Sequence, residues 1–289
     1  MNWILASFLM LVFSNIYYLI TRKAQINKID RRIYLISNFF FSAIFYYIVI
    51  KYRQLSFIPN INTLVTIFLV AFFLSYIPSA VSYVAMSKAP NAGYSMVIQK
   101  SYAVFTTIAS VFLFKSSFSW IKFLIVAFIL FNVGLVSLAD QKKNSKKNSN
   151  SWVLLSFIPF FGYGILRLSN KLIVTTRNVD SVVLLFWTTL FVTIFSTIDF
   201  IIHRKRINIK LSKIDWTILI SIGISVSFFY YFLLTAEITA PNLGYVSAIN
   251  AASNAIFTVL VALIFKEKVT LKKMIGVIGV TLGIVLLML

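Results

Sequence analysis

Lys100 and Arg167 are the residues whose positions most need explaining, because each stands inside a long apolar run. Lys100 lies about 8 residues into its run, roughly 12 Å along a helix at 1.5 Å per residue. A lysine that deep costs on the order of 2.5–3.5 kcal/mol to insert and normally faces a cavity or a partner. On one reading it is a cationic contact for a substrate phosphate or carboxylate. On the other its stem snorkels, or its ammonium bonds helix carbonyls. Arg167, with Asn170 and Lys171 beyond it, has three readings: it holds an anionic group, closes an outer gate, or snorkels at the interface.

A polar stripe accompanies these cations. Ser247, Asn250, Asn254 and Thr258 recur at i, i+3, i+7 and i+11, so they share one helix face. An internal repeat, described below, aligns the last three with Gln99, Ala103 and Thr107. Two such stripes on related helices suggest two walls of one cavity, against the alternative of helix–helix hydrogen bonding. Ser75, Ser79, Ser82 and Tyr83, and then Ser225, Tyr230, Tyr231 and Thr235, offer further hydrogen-bonding walls or polar packing. Pro159, Gly162, Tyr163, Gly164 and Arg167 fall within nine positions, and Pro78 interrupts an earlier run. Proline removes a helix hydrogen bond and glycine admits a close neighbour, so kinks, gating or static, are expected at Pro78, Pro159, Gly162 and Gly164.

Other chemistries lack their residues. There is no cysteine and a single histidine, His203, so thiolate sites, disulfides and His-rich metal clusters are not expected. Asp199 and His203 stand at i, i+4 without an identifiable nucleophile. The chain is read as not an enzyme, with no cofactor and no metal. Asp30, Asp140, Asp180 and Asp215 sit in loops or at span boundaries, Asp199 and Glu237 near span ends, and Glu267 in a turn. Proton-coupled carriers commonly use deep carboxylates, so a facilitator or exchanger is the expectation. Glu237 is the weak exception: a functional role stays open beside those of helix-end cap and partner of a loop lysine.

The elements that position these residues follow from composition. Of 289 residues 60% are hydrophobic and 12% charged, with a mean hydropathy of +0.92. Soluble domains average roughly 45–50% apolar and about 25% charged, so this chain belongs in a membrane, in the company of lipid. A span needs roughly 20 apolar residues, and ten runs qualify: about 2–20, 34–50, 62–87, 92–114, 119–139, 152–173, 181–202, 215–237, 242–265 and 270–289. The N-terminus lacks the basic region and cleavage site of a signal peptide. Trp3, Trp120, Trp152 and Trp216 mark span ends as an interfacial belt does.

The chain restarts halfway. Asn2-Trp3-Ile4-Leu5-Ala6-Ser7-Phe8 returns as Ser151-Trp152-Val153-Leu154-Leu155-Ser156-Phe157. Ala89-Pro90-Asn91-Ala92-Gly93-Tyr94 returns as Ala240-Pro241-Asn242-Leu243-Gly244-Tyr245, and Phe114-Lys115 as Phe265-Lys266. Residues 1–140 and 151–289 are thus two five-span repeats, joined by a hydrophilic linker over 141–150. An odd number of spans makes the second repeat enter the membrane from the opposite side. The fold class is therefore all-α and polytopic, ten transmembrane helices in two inverted five-helix repeats. Such repeats place a substrate site near the midplane and support alternating access.

The net charge of +20 has a location. Of the 27 Lys and Arg residues, nineteen lie at the loops after odd-numbered spans and six at those after even-numbered ones. By the positive-inside rule both termini lie outside. The basicity then needs no nucleic-acid partner, and a bacterial cytoplasmic (inner) membrane is the expected location.

Ten spans, the repeated Ala-Pro-Asn-x-Gly-Tyr turn, Phe265-Lys266-Glu267-Lys268-Val269-Thr270 and the glycines Gly276, Gly279 and Gly283 resemble the drug/metabolite transporter superfamily, EamA type. Gln99-Lys100 resembles the Gln/Lys pair in the fourth span of nucleotide-sugar transporters, with the spacing changed by one. The resemblance implies metabolite transport through a cavity lined by spans 1, 3, 4, 6, 8 and 9. Ser116 stands where the second repeat has Glu267, which argues against a symmetric role for that glutamate. The functional reading is a secondary transporter of small polar metabolites, amino acids or related compounds. The alternatives are an anion-selective carrier for phosphorylated or nucleotide-linked substrates, or a non-transporting membrane subunit. The candidate substrate contacts are Gln99, Lys100, Thr107, Ser247, Asn250, Asn254, Thr258, Tyr163 and Arg167. Gly279 and Gly283 permit close helix contact, within a monomer or across a homodimer.

Overall fold

The computed structural model describes residues 1–27, 29–89, 92–138, 151–204, 211–265 and 270–289. Outside the description lie Pro90, Asn91, the 141–150 linker and Glu267, and the side chains of Tyr83, Tyr94, Asn254 and Thr258. Among the described residues there are helices and no strand.

The first half comprises α1 (Trp3–Ile26), α2 (Arg31–Tyr52), α3 (Ile61–Val70), α4 (Ile77–Lys88), α5 (Ala92–Lys100), α6 (Tyr102–Phe114) and α7 (Trp120–Leu138). The second comprises α8 (Ser151–Arg177), α9 (Ser181–His203), α10 (Lys213–Thr239), α11 (Leu243–Phe265) and α12 (Leu271–Met288). Span 3 is α3, a π-helical turn over Ala71–Tyr76, and α4; span 4 is α5 followed by α6. Among the described residues the result is ten rods, of which eight are long and apolar enough to cross a membrane, and Trp120–Val136 is a shorter apolar helix.

Both interruptions have local causes. Pro78 has no N–H to donate and its ring crowds the preceding turn. The π turn ends just before it, where the Ile77 N–H reaches back to the Phe72 carbonyl. In span 4 the helix breaks at Ser101, whose N–H donates to Val97 O at 3.0 Å while its hydroxyl donates to the same carbonyl at 2.8 Å. Lys100 is the last residue before that break. Pro159, by contrast, lies inside an unbroken α8.

Acids at the span boundaries serve as caps. Asp30 accepts from the Arg32 N–H and Asp180 from the Val182 N–H, while Ser212 and Asp215 form a reciprocal capping box. Side-chain oxygens there satisfy amide groups that the helix leaves without partners.

Short connections force alternation. The four residues between α1 and α2 reach at most about 14 Å, whereas a helix of 22 residues is roughly 33 Å long. Successive rods therefore run antiparallel, with both chain termini at one end of the bundle and the linker at the other. Cross-ties agree. At the terminal end Arg177 donates to Asn62 O at 3.1 Å, Trp187 to Phe57 O at 3.0 Å and Lys122 to Leu287 O at 3.4 Å. At the linker end Asn27 donates to Asp215 at 3.0 Å, and Arg32 pairs with Asp199 at 3.1 Å.

The major packings join the halves in a reciprocal pattern. α1 packs on α10 and its counterpart α8 on α4; α2 packs on α9, α6 on α11 and α7 on α12. Each contact thus pairs a span of one repeat with a span of the other, as two inverted copies require. Gly276, Gly279 and Gly283 lie against Val136, Asn132 and Ile129 of α7. The glycine face of α12 is therefore spent inside the molecule.

Candidate functional site

A cavity of about 320 Å³ lies among the rods, lined by residues of both halves. Five of the sequence candidates line it: Gln99, Lys100, Tyr163, Arg167 and Asn250. Ser75, Ser79, Ser82 and Tyr230, read as polar walls, line it too. An adjoining cavity of about 220 Å³ shares Tyr17, Phe39, Ser79 and Tyr230 with it and runs on to Arg31 and Tyr34, in the first turn of α2. The space thus continues towards the linker end. There the Tyr17 and Tyr34 hydroxyls meet in a hydrogen bond that ties α1 to α2.

Lys100 lines the cavity from the last turn of α5, immediately before the break in span 4. Among the described residues it makes neither an ion pair nor a hydrogen bond. It is half-buried, and its charge is repelled by that of Arg167. Its neighbour Gln99 is in the opposite state. Gln99 Oε1 accepts from Ser82 at 2.7 Å and Nε2 donates to Ser95 at 2.8 Å, while the Ser95 hydroxyl meets Ser156 at 2.7 Å. That chain ties α4, α5 and α8 together, so Gln99 secures the wall from which Lys100 projects.

Arg167 lines the cavity, and its Nε stands 3.4 Å from Glu237 Oε1, with 13% of the arginine side chain and none of the glutamate exposed. Neither that nitrogen nor either Glu237 oxygen has a hydrogen-bond partner. One turn along α8, Lys171 is buried, donates to Ala240 O at 3.4 Å and also acts on the charge of Glu237. Two cations from α8 thus face one carboxylate from α10. The sequence reading placed Glu237 correctly near a span end. What it missed is the environment, since the last turn of α10 is enclosed by the bundle.

Other predicted residues lie elsewhere. Thr107 is buried where α6 crosses α11: its hydroxyl donates to Ala103 O, its carbonyl accepts from Asn242, and it leaves no room for a side chain at Gly244. Ser247 is buried without a hydrogen-bond partner and does not border the cavity. Of the α11 stripe, Asn250 faces the site, donating to the Tyr102 hydroxyl at 3.2 Å. Pro78 and Gly162 touch each other, and Gly164 lies against Phe105.

The lining is wider than the six spans implied by resemblance. Span 2 adds Phe39, and span 7 adds Leu185, Thr188 and Thr189. The two threonines sit in an otherwise apolar run, and their hydroxyls carry no sequence signal because helical threonines routinely bond the preceding turn. Thr189 does so, while Thr188 Oγ1, Asn170 Oδ1 and Asn250 Oδ1 are buried without partners. A buried polar atom without a partner costs about 1–3 kcal/mol, a cost that water or a ligand in the cavity removes.

Comparison with known proteins gives three results. The family pattern described as "EamA-like transporter family" matches residues 150–289. A solved structure described as "Crystal structure of protein" is similar over 98% of this chain and 95% of its own, with a TM-score of 0.79 at 11% sequence identity, a likeness of fold alone. No curated protein sequence matches. Residues 150–289, just under half of the chain, match the EamA-like transporter family, and the match supports a membrane transporter of the drug/metabolite superfamily type.

Proposed function

We propose that this transporter carries small polar metabolites bearing a carboxylate, amino acids and related acids, by alternating access between its two halves. Lys100 carries the reading. A cation without an anionic partner, in a cavity whose wall mixes hydroxyls, amides and aromatic rings with Met86, Met96, Leu166 and Leu185, favours a ligand that supplies the negative charge. Arg167 adds a second cation, and the one carboxylate near it, Glu237, is shared with Lys171, so the region keeps a positive surplus that suits an anion. A volume of about 320 Å³ lies at the small end of ligand sites and favours metabolites over nucleotide-linked sugars. Nineteen basic residues at the linker end support an orientation with both termini outside, which directs the open side of the cavity to the cytoplasm.

The test is uptake into proteoliposomes of a labelled panel: L-alanine, L-glutamine, lactate, succinate, glucose 6-phosphate and choline. Carboxylates should enter, and Lys100→Met should abolish their saturable uptake. Preference for choline, or carboxylate uptake unchanged in Lys100→Met, would overturn the proposal.

A further inference from the structure

We propose that Glu237 is a proton-binding site coupled to the substrate anion through Arg167, which makes the protein a proton–anion symporter. The inference rests on the carboxylate reading of the cavity and extends it to energy coupling. It also departs from the expectation of a facilitator or exchanger, which rested on finding no deep acid in the sequence.

Three observations carry it. Glu237 is completely buried, and neither of its oxygens accepts a hydrogen bond. A permanently ionised carboxylate in that position would normally be held by several donors. Its nearest cation, Arg167, is shared: it stands 3.4 Å from Glu237 and also borders the cavity. Finally, Glu237 sits behind Arg167, off the cavity wall and within one turn of the terminal end of α10, while the cavity itself continues towards the linker end.

The charges around Glu237 decide the coupling. Those acting on it are Arg167 and Lys171, both from α8. The other helices packed on α10, namely α1, α2, α9 and α11, contribute buried apolar side chains to the two cores flanking this turn, such as Met10, Ile50, Val182 and Val246. With Glu237 ionised, Arg167 has a counter-charge, shared with Lys171, and less call for a second anion. When a proton from the cavity bonds a Glu237 oxygen, the carboxylate becomes a neutral acid and Arg167 loses its counter-charge. A substrate carboxylate in the cavity then supplies the missing charge, and the buried region returns to its former total. No other bond forms or breaks. Proton and anion therefore favour one another's binding, and by linkage the effect is reciprocal. Loss of the α8–α10 attraction also loosens the seal at the terminal end, so the loaded protein is the form that opens there.

Proton uptake on ligand addition tests this. Purified wild-type protein in weakly buffered detergent at neutral pH is titrated with each carboxylate of the panel, while a pH dye reads protons and calorimetry reads binding. We expect uptake of about one proton per bound carboxylate, as charge balance requires, and none in Glu237→Gln. That variant should also lose accumulation driven by a pH gradient. Carboxylate binding by wild type without proton uptake overturns the coupling and leaves the carboxylate reading standing. Equal uptake in Glu237→Gln overturns the assignment of the site. If no carboxylate binds, the reading of the cavity falls and the coupling falls with it. The wild-type measurement decides even if the variant does not fold.

Discussion

Gly162 of α8 rests directly against the ring of Pro78 in α4, so that a methyl group at Gly162 would overlap the proline. The two features that the sequence offered as separate hinges are one contact. Pro78 bends span 3 through the π turn before it, and glycine on α8 makes room for the bend. The same contact holds Tyr163, the next residue, over the cavity, with its hydroxyl donating to Ser79 at 3.3 Å.

Gly162→Ala should therefore destabilise the protein by about 1–3 kcal/mol, the usual cost of overpacking. Gly134→Ala is the control, because its nearest neighbour is a Val97 methyl at 3.9 Å. Thermal unfolding in detergent should show a loss for the first and a change within error for the second. Equal behaviour of the two would mean that the α4–α8 contact yields freely.

Gly279 tests where the glycine face of α12 is used. A side chain there meets the Asn132 amide of α7, so Gly279→Leu should lower stability by more than about 1 kcal/mol without changing oligomeric state. Light scattering of wild type and variant reads the second part. A shift to a smaller particle with stability retained would place the glycine face between two copies of the chain.

On the proposed function Lys100 is held at a cost in stability, since a cation without an anionic partner disfavours burial. Lys100→Met should raise the stability of ligand-free protein by about 0.5–2 kcal/mol, the range typical of relieved functional strain. It should also remove the stabilisation that carboxylates give the wild type. Loss of about 1.5–3 kcal/mol of charged hydrogen bonding corresponds to roughly tenfold to a hundredfold weaker binding. A less stable variant that still binds carboxylates would make Lys100 a structural residue.

Arg167 and Glu237 should behave as a unit. Removing one partner of a buried pair leaves a bare charge and costs about 3–5 kcal/mol, whereas removing both is far milder. Arg167→Met and Glu237→Leu should each destabilise strongly, and the double variant less than either. A double-mutant cycle on unfolding midpoints reads the coupling; additive losses would show that the two charges do not interact.

Much of the architecture was legible because it answers to local rules. The length of each apolar run is set by the thickness of the bilayer, and the repeated Asn2–Phe8 and Ala89–Tyr94 segments state the duplication outright. The depth of Lys100 announces itself, since a lysine inside an apolar run is conspicuous without any coordinates. The π turn beside Pro78 and the break after Lys100 follow from local chemistry, although their form does not.

What the sequence by itself determined is thus the membrane class and the all-helical, polytopic architecture, and it offered the duplication and the deep cation as expectations. Only the tertiary structure decided which polar side chains share a space. Helical periodicity gives the face of a residue but not the helix across from it. Thr107, Ser247 and Asn250 read alike along their helices, yet only Asn250 borders the cavity. Glu237 shows the same limit from the other side: a carboxylate one turn from a helix end is ordinary in sequence. It becomes a buried counter-ion because α8 brings Arg167 and Lys171 to it while the surrounding helices exclude water. Burial is a property of the whole bundle, and no window of sequence contains it.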